Sequence, residues 1–102
     1  MIVVLGSVVA RADTFDKVLA LSQAHVARSR GEPGCLSHAV HRDTEQPLRL
    51  VFVEEWADAA ALAEHFRVPA SRGFVKALSA LLSEPPRLTV YDATLMQADA
   101  LR

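Results

Sequence analysis

Residues 48–66, LRLVFVEEWADAAALAEHF, restrict the possible folds more than any other stretch. They open as an unbroken apolar run, Leu50-Val51-Phe52-Val53, which ends on Glu54, Glu55 and the chain's one tryptophan, Trp56. A short run rich in β-branched and aromatic residues reads as a buried strand. Asp58 can then accept from the free amides of a following turn, so a helix carrying Leu62, His65 and Phe66 starts at once. A strand that ends in an aromatic and turns directly into a helix builds one wall of a pocket.

The remaining segments arrange around that strand. Residues 2–10 form a first strand that is apolar on both parities, with Ile2, Val4 and Val8 on one and Val3, Leu5 and Val9 on the other. Gly6 marks a bulge or a close approach by another group. Asp13 or Thr14 caps a helix running to about Arg30, whose inward stripe is Phe15, Val18, Leu19, Ser22 and Val26. Gly31-Glu32-Pro33-Gly34 stops it, and residues 35–42 form the second strand. After the helix at 58–66 the chain breaks near Val68-Pro69, then resumes as a helical piece over 71–82 that Glu84-Pro85-Pro86 terminates. Residues 87–95 are the fourth strand.

The order β-α-β-β-α-β predicts one α+β domain over 1–102. Its simplest closed form is ferredoxin-like, a four-stranded antiparallel sheet with the helices on one face. Helices on one face leave the other bare, yet strands one and three are apolar on both. Soluble proteins avoid a large exposed apolar face. The pattern therefore predicts a homodimer with sheets packed face to face, a dimeric α+β barrel.

Charge and composition exclude several partners. The net charge of −1 gives no basic field for nucleic acid or an anionic membrane. No stretch reaches the roughly 20 apolar residues of a membrane span, and the apolar start MIVVLGSVVA has no basic residues before it. The single cysteine, Cys35, fits a reducing compartment, and a cytoplasmic protein is expected.

Three short motifs in order, Glu32-Pro33-Gly34-Cys35-Leu36, Glu54-Glu55-Trp56 and Ala61-Leu62-x-x-His65-Phe66 with Pro69, resemble the antibiotic biosynthesis monooxygenase family. The resemblance spans nearly the whole chain and implies a dimeric α+β barrel. It implies an oxygenase less specifically, since the family also includes heme-degrading enzymes and a sugar-phosphate isomerase. Its polyketide oxygenases use an asparagine, a tryptophan, a tyrosine and an arginine where this chain has Phe52, Trp56, Leu62 and Lys76. The chain has no asparagine, so the heme-degrading pattern is not met. The quinol oxygenases are the most similar, through the Glu-x-Trp and His-x-x-x-Pro spacings, although Ala70 stands where many relatives carry a histidine.

Dioxygen reacts slowly with closed-shell molecules unless a metal, a flavin or an electron-rich anion supplies electrons. His38 and His41 lie three apart on a strand and face opposite sides, so that pair cannot chelate one ion. No Gly-rich dinucleotide fingerprint is present. Neither a metal nor a cofactor is therefore expected, and the substrate must supply the electrons. The protein would hold a phenol or hydroquinone, remove its proton and exclude water. A phenol of pKa ~10 facing a histidine near ~6.5 leaves a gap of roughly 5 kcal/mol. Donors aimed at the developing anion must offset it.

The expected catalytic residues are His38, His65 and Trp56. The expected substrate contacts are Leu36, Phe52, Glu54, Leu62, Phe66 and Phe74. Arg72 and Lys76 face an anionic substrate or solvent. His41 is expected at the surface and His25 at the rim of the first helix. The expected partners are a small aromatic substrate and O2. Two alternatives stay open: a proton-shuttling isomerase of a small oxygenated metabolite, and a non-catalytic ligand-binding or stress-response module. Each histidine also has a purely structural reading, as does Trp56.

Overall fold

The computed structural model describes residues 1–102. Four strands, β1 (Ile2–Val9), β2 (Cys35–Arg42), β3 (Arg49–Trp56) and β4 (Arg87–Asp92), form one antiparallel sheet in the order β2-β3-β1-β4. The helices are α1 (Phe15–Ser29), α2 (Ala59–Arg67) and α3 (Pro69–Ser79), followed by a short 3-10 turn at Ala98–Leu101. This is the expected ferredoxin-like α+β fold, with the second helical segment split at Val68. Val68 has extended backbone and Pro69 opens the new helix, the restriction that proline imposes on the residue before it.

Two element ends differ from expectation for reasons of pairing. β4 stops at Asp92 because its partner runs out: Ile2 pairs with Asp92, and Met1 accepts the last bond, from Ala93 N at 2.8 Å. α3 stops at Ser79 because the chain beyond it is drawn to β1, with Leu82 bridging Ala10 and Ser83 N donating to Val9 O at 2.9 Å. Asp58 caps α2 as expected, accepting from Ala61 N at 2.8 Å. Thr14 sits at the start of α1 but caps nothing with its side chain; its hydroxyl donates to Leu81 O at 2.7 Å and fastens α1 to the end of α3.

The helices pack on the face carrying Ile2, Val4, Gly6 and Val8 of β1 and Leu50, Phe52, Glu54 and Trp56 of β3. One core cluster joins Val8, Phe15, Val18, Val26, Leu50, Phe52 and Leu78. A smaller one joins Ile2, Val4, Trp56 and Leu62. Gly34 ties the β2 start to α2: its φ is +80°, and a Cβ there would lie 2.5 Å from Ala61 Cβ, so only glycine fits. Gly6 is not a bulge, and the neighbouring atoms leave ordinary contact distance there. β1 keeps its register through it, and a Cβ would meet Leu88 Cδ1 at 3.4 Å.

The sheet is covered unevenly. Every residue of β4 is exposed, including Leu88 and Val90, which share the helix-side face through their pairing with Gly6 and Val4. The opposite sheet face has no covering element. Val3, Leu5, Ala39, Val51, Val53 and Tyr91 meet there, and Leu5 is 42% exposed.

Candidate active site

A cavity of about 650 Å³ opens between α3 and the β1–β4 side of the sheet, within the size range of small-molecule sites. Phe52, Phe66, Phe74, Leu78 and Leu88 form its apolar walls. Its polar groups are His25, Glu54 and His65, together with the exposed cations Arg72, Lys76 and Arg87. Strand alternation places Phe52 and Glu54 on the helix-side face. The i, i+1 step on α2 lets His65 turn inward while Phe66 stays half in solvent.

Of the residues expected to contact substrate, Phe52, Glu54, Phe66 and Phe74 line this cavity, as does the expected catalytic residue His65. Four others do not. The expected catalytic residue His38 is fully buried and forms no part of the cavity surface. Leu36 is 58% exposed, because a register irregularity between Cys35 and Ser37 breaks the alternation that would have put it beside His38. Leu62 is buried against Ile2, Val4 and Trp56. Trp56 is fully buried behind the cavity wall and forms no part of its surface. Arg72 and Lys76 do line the cavity and form no ion pair within the chain.

His25 corrects the sequence reading. It is buried, not at a helix rim, because it lies three residues after Ser22 and seven after Val18 on the inward stripe of α1. Its ring stacks on Phe74, centroids 4.1 Å apart and 9° from parallel. It also stands 5.4 Å from the His38 ring and 5.3 Å from the His65 ring. The polar character of that stripe, with Ser22, His25 and Ser29 in register, was the signal available in the sequence.

A carboxylate holds one of the three imidazoles, and a second carboxylate stands near another. Glu32 Oε1 lies 2.8 Å from His65 Nδ1, which assigns the proton to Nδ1 and leaves Nε2 with a free lone pair. Glu54 Oε1 accepts from Trp56 Nε1 at 2.9 Å and lies 3.3 Å from His38 Nε2. That second contact is long and poorly aligned, so neither nitrogen of the fully buried His38 ring has a proper hydrogen-bond partner. Arg28 Nη2 lies 3.1 Å from His25 Nδ1.

The local electrostatics follow from this packing. Burial, then the neighbouring His38, His65 and Arg28, lower the His25 pKa to about 4, so its ring is neutral near pH 7. Burial pushes the Glu54 carboxyl up, but the neighbouring His38 ring and the Trp56 N–H outweigh it, and the group is held below the ordinary carboxylate range. Cys35 has its thiol pushed up, by burial and then by the carboxylates of Glu32 and Glu54, away from thiolate chemistry. The site therefore offers an aromatic cavity, a carboxylate-oriented imidazole and a buried anion, which together suit proton transfer from an apolar acid.

The model of the antibiotic biosynthesis monooxygenase family matches residues 1–77. The chain belongs to the antibiotic biosynthesis monooxygenase family. Solved structures agree with this membership. A Deinococcus radiodurans protein described as a candidate antibiotic biosynthesis monooxygenase is 26% identical, with a TM-score of 0.91 over 95% of this chain and 96% of its own. Rv0793 from Mycobacterium tuberculosis is 28% identical, with a TM-score of 0.86 over 95% and 97%. An uncharacterized Synechocystis sp. protein, sll1783, is 36% identical over 90 residues. That alignment takes in 88% of this chain but spans 61% of the length of the Synechocystis relative. The family match includes all three clustered histidines and ends before β4, whose Arg87 and Leu88 complete the cavity. No helix of the protein is long and apolar enough to cross a membrane.

Proposed function

We propose that the protein is a monooxygenase of electron-rich aromatics, a hydroquinone or a phenolic polyketide, and that His65 is its base. The observation that carries this reading is the Glu32–His65 pair, 2.8 Å apart, on the wall of an aromatic-lined cavity of about 650 Å³. In a hydroquinone, His65 Nε2 takes the hydroxyl proton while Glu32 stabilises the imidazolium through Nδ1–H. The resulting anion transfers an electron to O2, and the radical pair combines at a ring carbon. Loss of water from the hydroperoxide leaves a hydroxyquinone. One oxygen atom enters the ring, the other leaves as water, and the substrate gives up two hydrogens. This sequence draws every electron from the substrate.

Two further features support the reading. The unpaired cations Arg72 and Lys76 suit an acidic substituent on the substrate. The bare outer sheet face, centred on Leu5, Val51 and Val53, suits a second copy packed sheet to sheet. Oxygen uptake with a panel of hydroquinones, set against the uncatalysed rate, tests the proposal. Uptake above that rate, lowered at least ~100-fold in His65→Gln, supports it. No uptake above autoxidation counts against it, and turnover under nitrogen would favour the proton-shuttling isomerase.

A further inference from the structure

Three imidazoles arrive at one point from three different elements: His25 from α1, His38 from β2 and His65 from α2. One nitrogen of each lies within 4.8 Å of the others. Their ring centroids form a nearly equilateral triangle with sides of 5.3, 5.4 and 5.7 Å. Imidazoles on one tetrahedral ion, with metal–nitrogen bonds of about 2.05 Å, have ring centres about 5.2 Å and nitrogens about 3.3 Å apart. The rings already stand at ligand separation. The nitrogens, within 4.8 Å of one another, must close to about 3.3 Å on an ion.

The surroundings resemble a ligand shell more than an ordinary core. All three rings are buried, and His38 has no proper partner on either nitrogen. A buried polar side chain with nothing to bind is rare and calls for an explanation. His65 has a carboxylate behind Nδ1, the arrangement that fixes a metal-binding imidazole in orientation and tautomer. The carboxylates of Glu32 and Glu54 attract the positive charge of an ion, while Arg28 beside His25 and Arg30 bonded to His38 O repel it. His25 and His65 both line the cavity, so a position on an ion held between them would open toward the substrate space.

We propose that His25, His38 and His65 form a binding site for one divalent first-row transition metal ion of the Zn²⁺ type. Imidazole nitrogens select such ions over Mg²⁺ and Ca²⁺, which prefer oxygen. Arg28 acts as a counterweight. A guanidinium only donates, so its 3.1 Å contact places the His25 proton on Nε2. Loading moves that proton to Nδ1 and releases Arg28, which keeps its bond to Ala70 O. An ion also takes the His65 lone pair that the proposed oxygenase gives to the substrate proton. The two occupants exclude each other at that nitrogen.

The test uses full-length protein stripped with a chelator and titrated with Zn²⁺ by calorimetry and with Co²⁺ by visible absorption. The expected result is one ion per chain, with Co²⁺ bands of a tetrahedral or five-coordinate nitrogen site. His25→Ala and His65→Ala should each weaken binding at least ~100-fold, and Glu32→Gln by about 10–100-fold. Arg28→Met should tighten it, a direction that damage to the fold would not produce. Absence of saturable one-to-one binding overturns the inference. So does binding that His25→Ala and His65→Ala leave within about 3-fold of the parent, or that Arg28→Met weakens. The inference does not depend on the oxygenase reading. Stoichiometric binding without oxygen uptake removes only that reading, and oxygen uptake by a protein that binds no ion removes only this one.

Discussion

Trp56→Phe distinguishes a buttress from a cavity wall. The indole is fully buried beside the His65 ring, 4.6 Å between centroids, and its Nε1 donates to Glu54 Oε1 at 2.9 Å. Phenylalanine keeps a ring in that position but removes the donor from a buried carboxylate. A hydrogen bond to a charged group contributes about 1.5–3 kcal/mol, and the smaller ring leaves space costing about 1 kcal/mol more. The expected loss of about 3–4 kcal/mol is a large part of the 5–15 kcal/mol typical of a domain. Urea unfolding at pH 7 measures it. A double-mutant cycle with Glu54→Leu isolates the pair, because packing losses cancel in the coupling term. A coupling of about 1.5–3 kcal/mol is expected. The carboxylate titrates below its ordinary range in the native state. Its contribution is therefore present above the unfolded pKa and lost as pH falls through the lower native value. Trp56→Phe raises that native value and so flattens the acid limb. A coupling below about 0.5 kcal/mol, within the scatter of independent sites, would refute the claim that the indole holds Glu54 ionised.

Four other outcomes follow from the same geometry. Gly34→Ala should cost at least ~1–2 kcal/mol for its positive φ alone, before its 2.5 Å clash with Ala61 Cβ; a fall in Tm of about 5 °C or more checks it. His25, with its pKa lowered from 6.5 to about 4, contributes stability that is full above pH 6.5 and lost as pH falls from there toward 4. The total is about 3 kcal/mol at 1.36 kcal/mol per unit, and His25→Gln should flatten the urea midpoints of metal-free protein across that window. Arg72→Gln and Lys76→Gln should each raise KM up to about 5-fold for acidic aromatics, since an exposed ion pair contributes ~0.2–1 kcal/mol; neutral aromatics should be unaffected. Leu5→Glu, at the centre of the bare sheet face, should convert a dimer to a monomer in light scattering, and a parent protein that is already monomeric at micromolar concentration sinks the face-to-face assembly.

The strands and their order were legible because each carries its own apolar run and polar boundary, so β2 spans the expected residues 35–42. Which face a residue takes was also legible, since Phe52, Glu54 and Trp56 share the helix side as alternation requires. How deep a residue lies on that face was not. Depth depends on which helix covers it, and α2 closes Leu62 over Trp56 while no helix reaches Leu88. Leu36 was misplaced for a different reason. Alternation counts residues, and the irregularity between Cys35 and Ser37 adds one that no local composition marks. Propensity offers Asp13 or Thr14 as the cap of α1; Thr14 takes the position, but a tertiary acceptor, Leu81 O, claims its hydroxyl.

The histidines show where a linear reading fails most instructively. His38 and His41 have the look of a motif because they are close in sequence, yet the strand turns them to opposite faces. The three that converge come from a helix, a strand and a second helix, and no spacing joins them. What does join them is a requirement of burial. A helix stripe that places Ser22, His25 and Ser29 inward cannot rest on a purely aliphatic sheet without leaving polar atoms unmet. Ser29 meets its need within the helix, donating to His25 O at 2.7 Å, and it is the His25 ring that finds polar neighbours opposite, in His38 and His65. Even so, the set remains incomplete, because both His38 nitrogens lack a proper bond. A structure that gathers three buried imidazoles and two carboxylates at one point has a definite chemistry there, one that a proton or a metal cation can satisfy and an apolar ligand cannot.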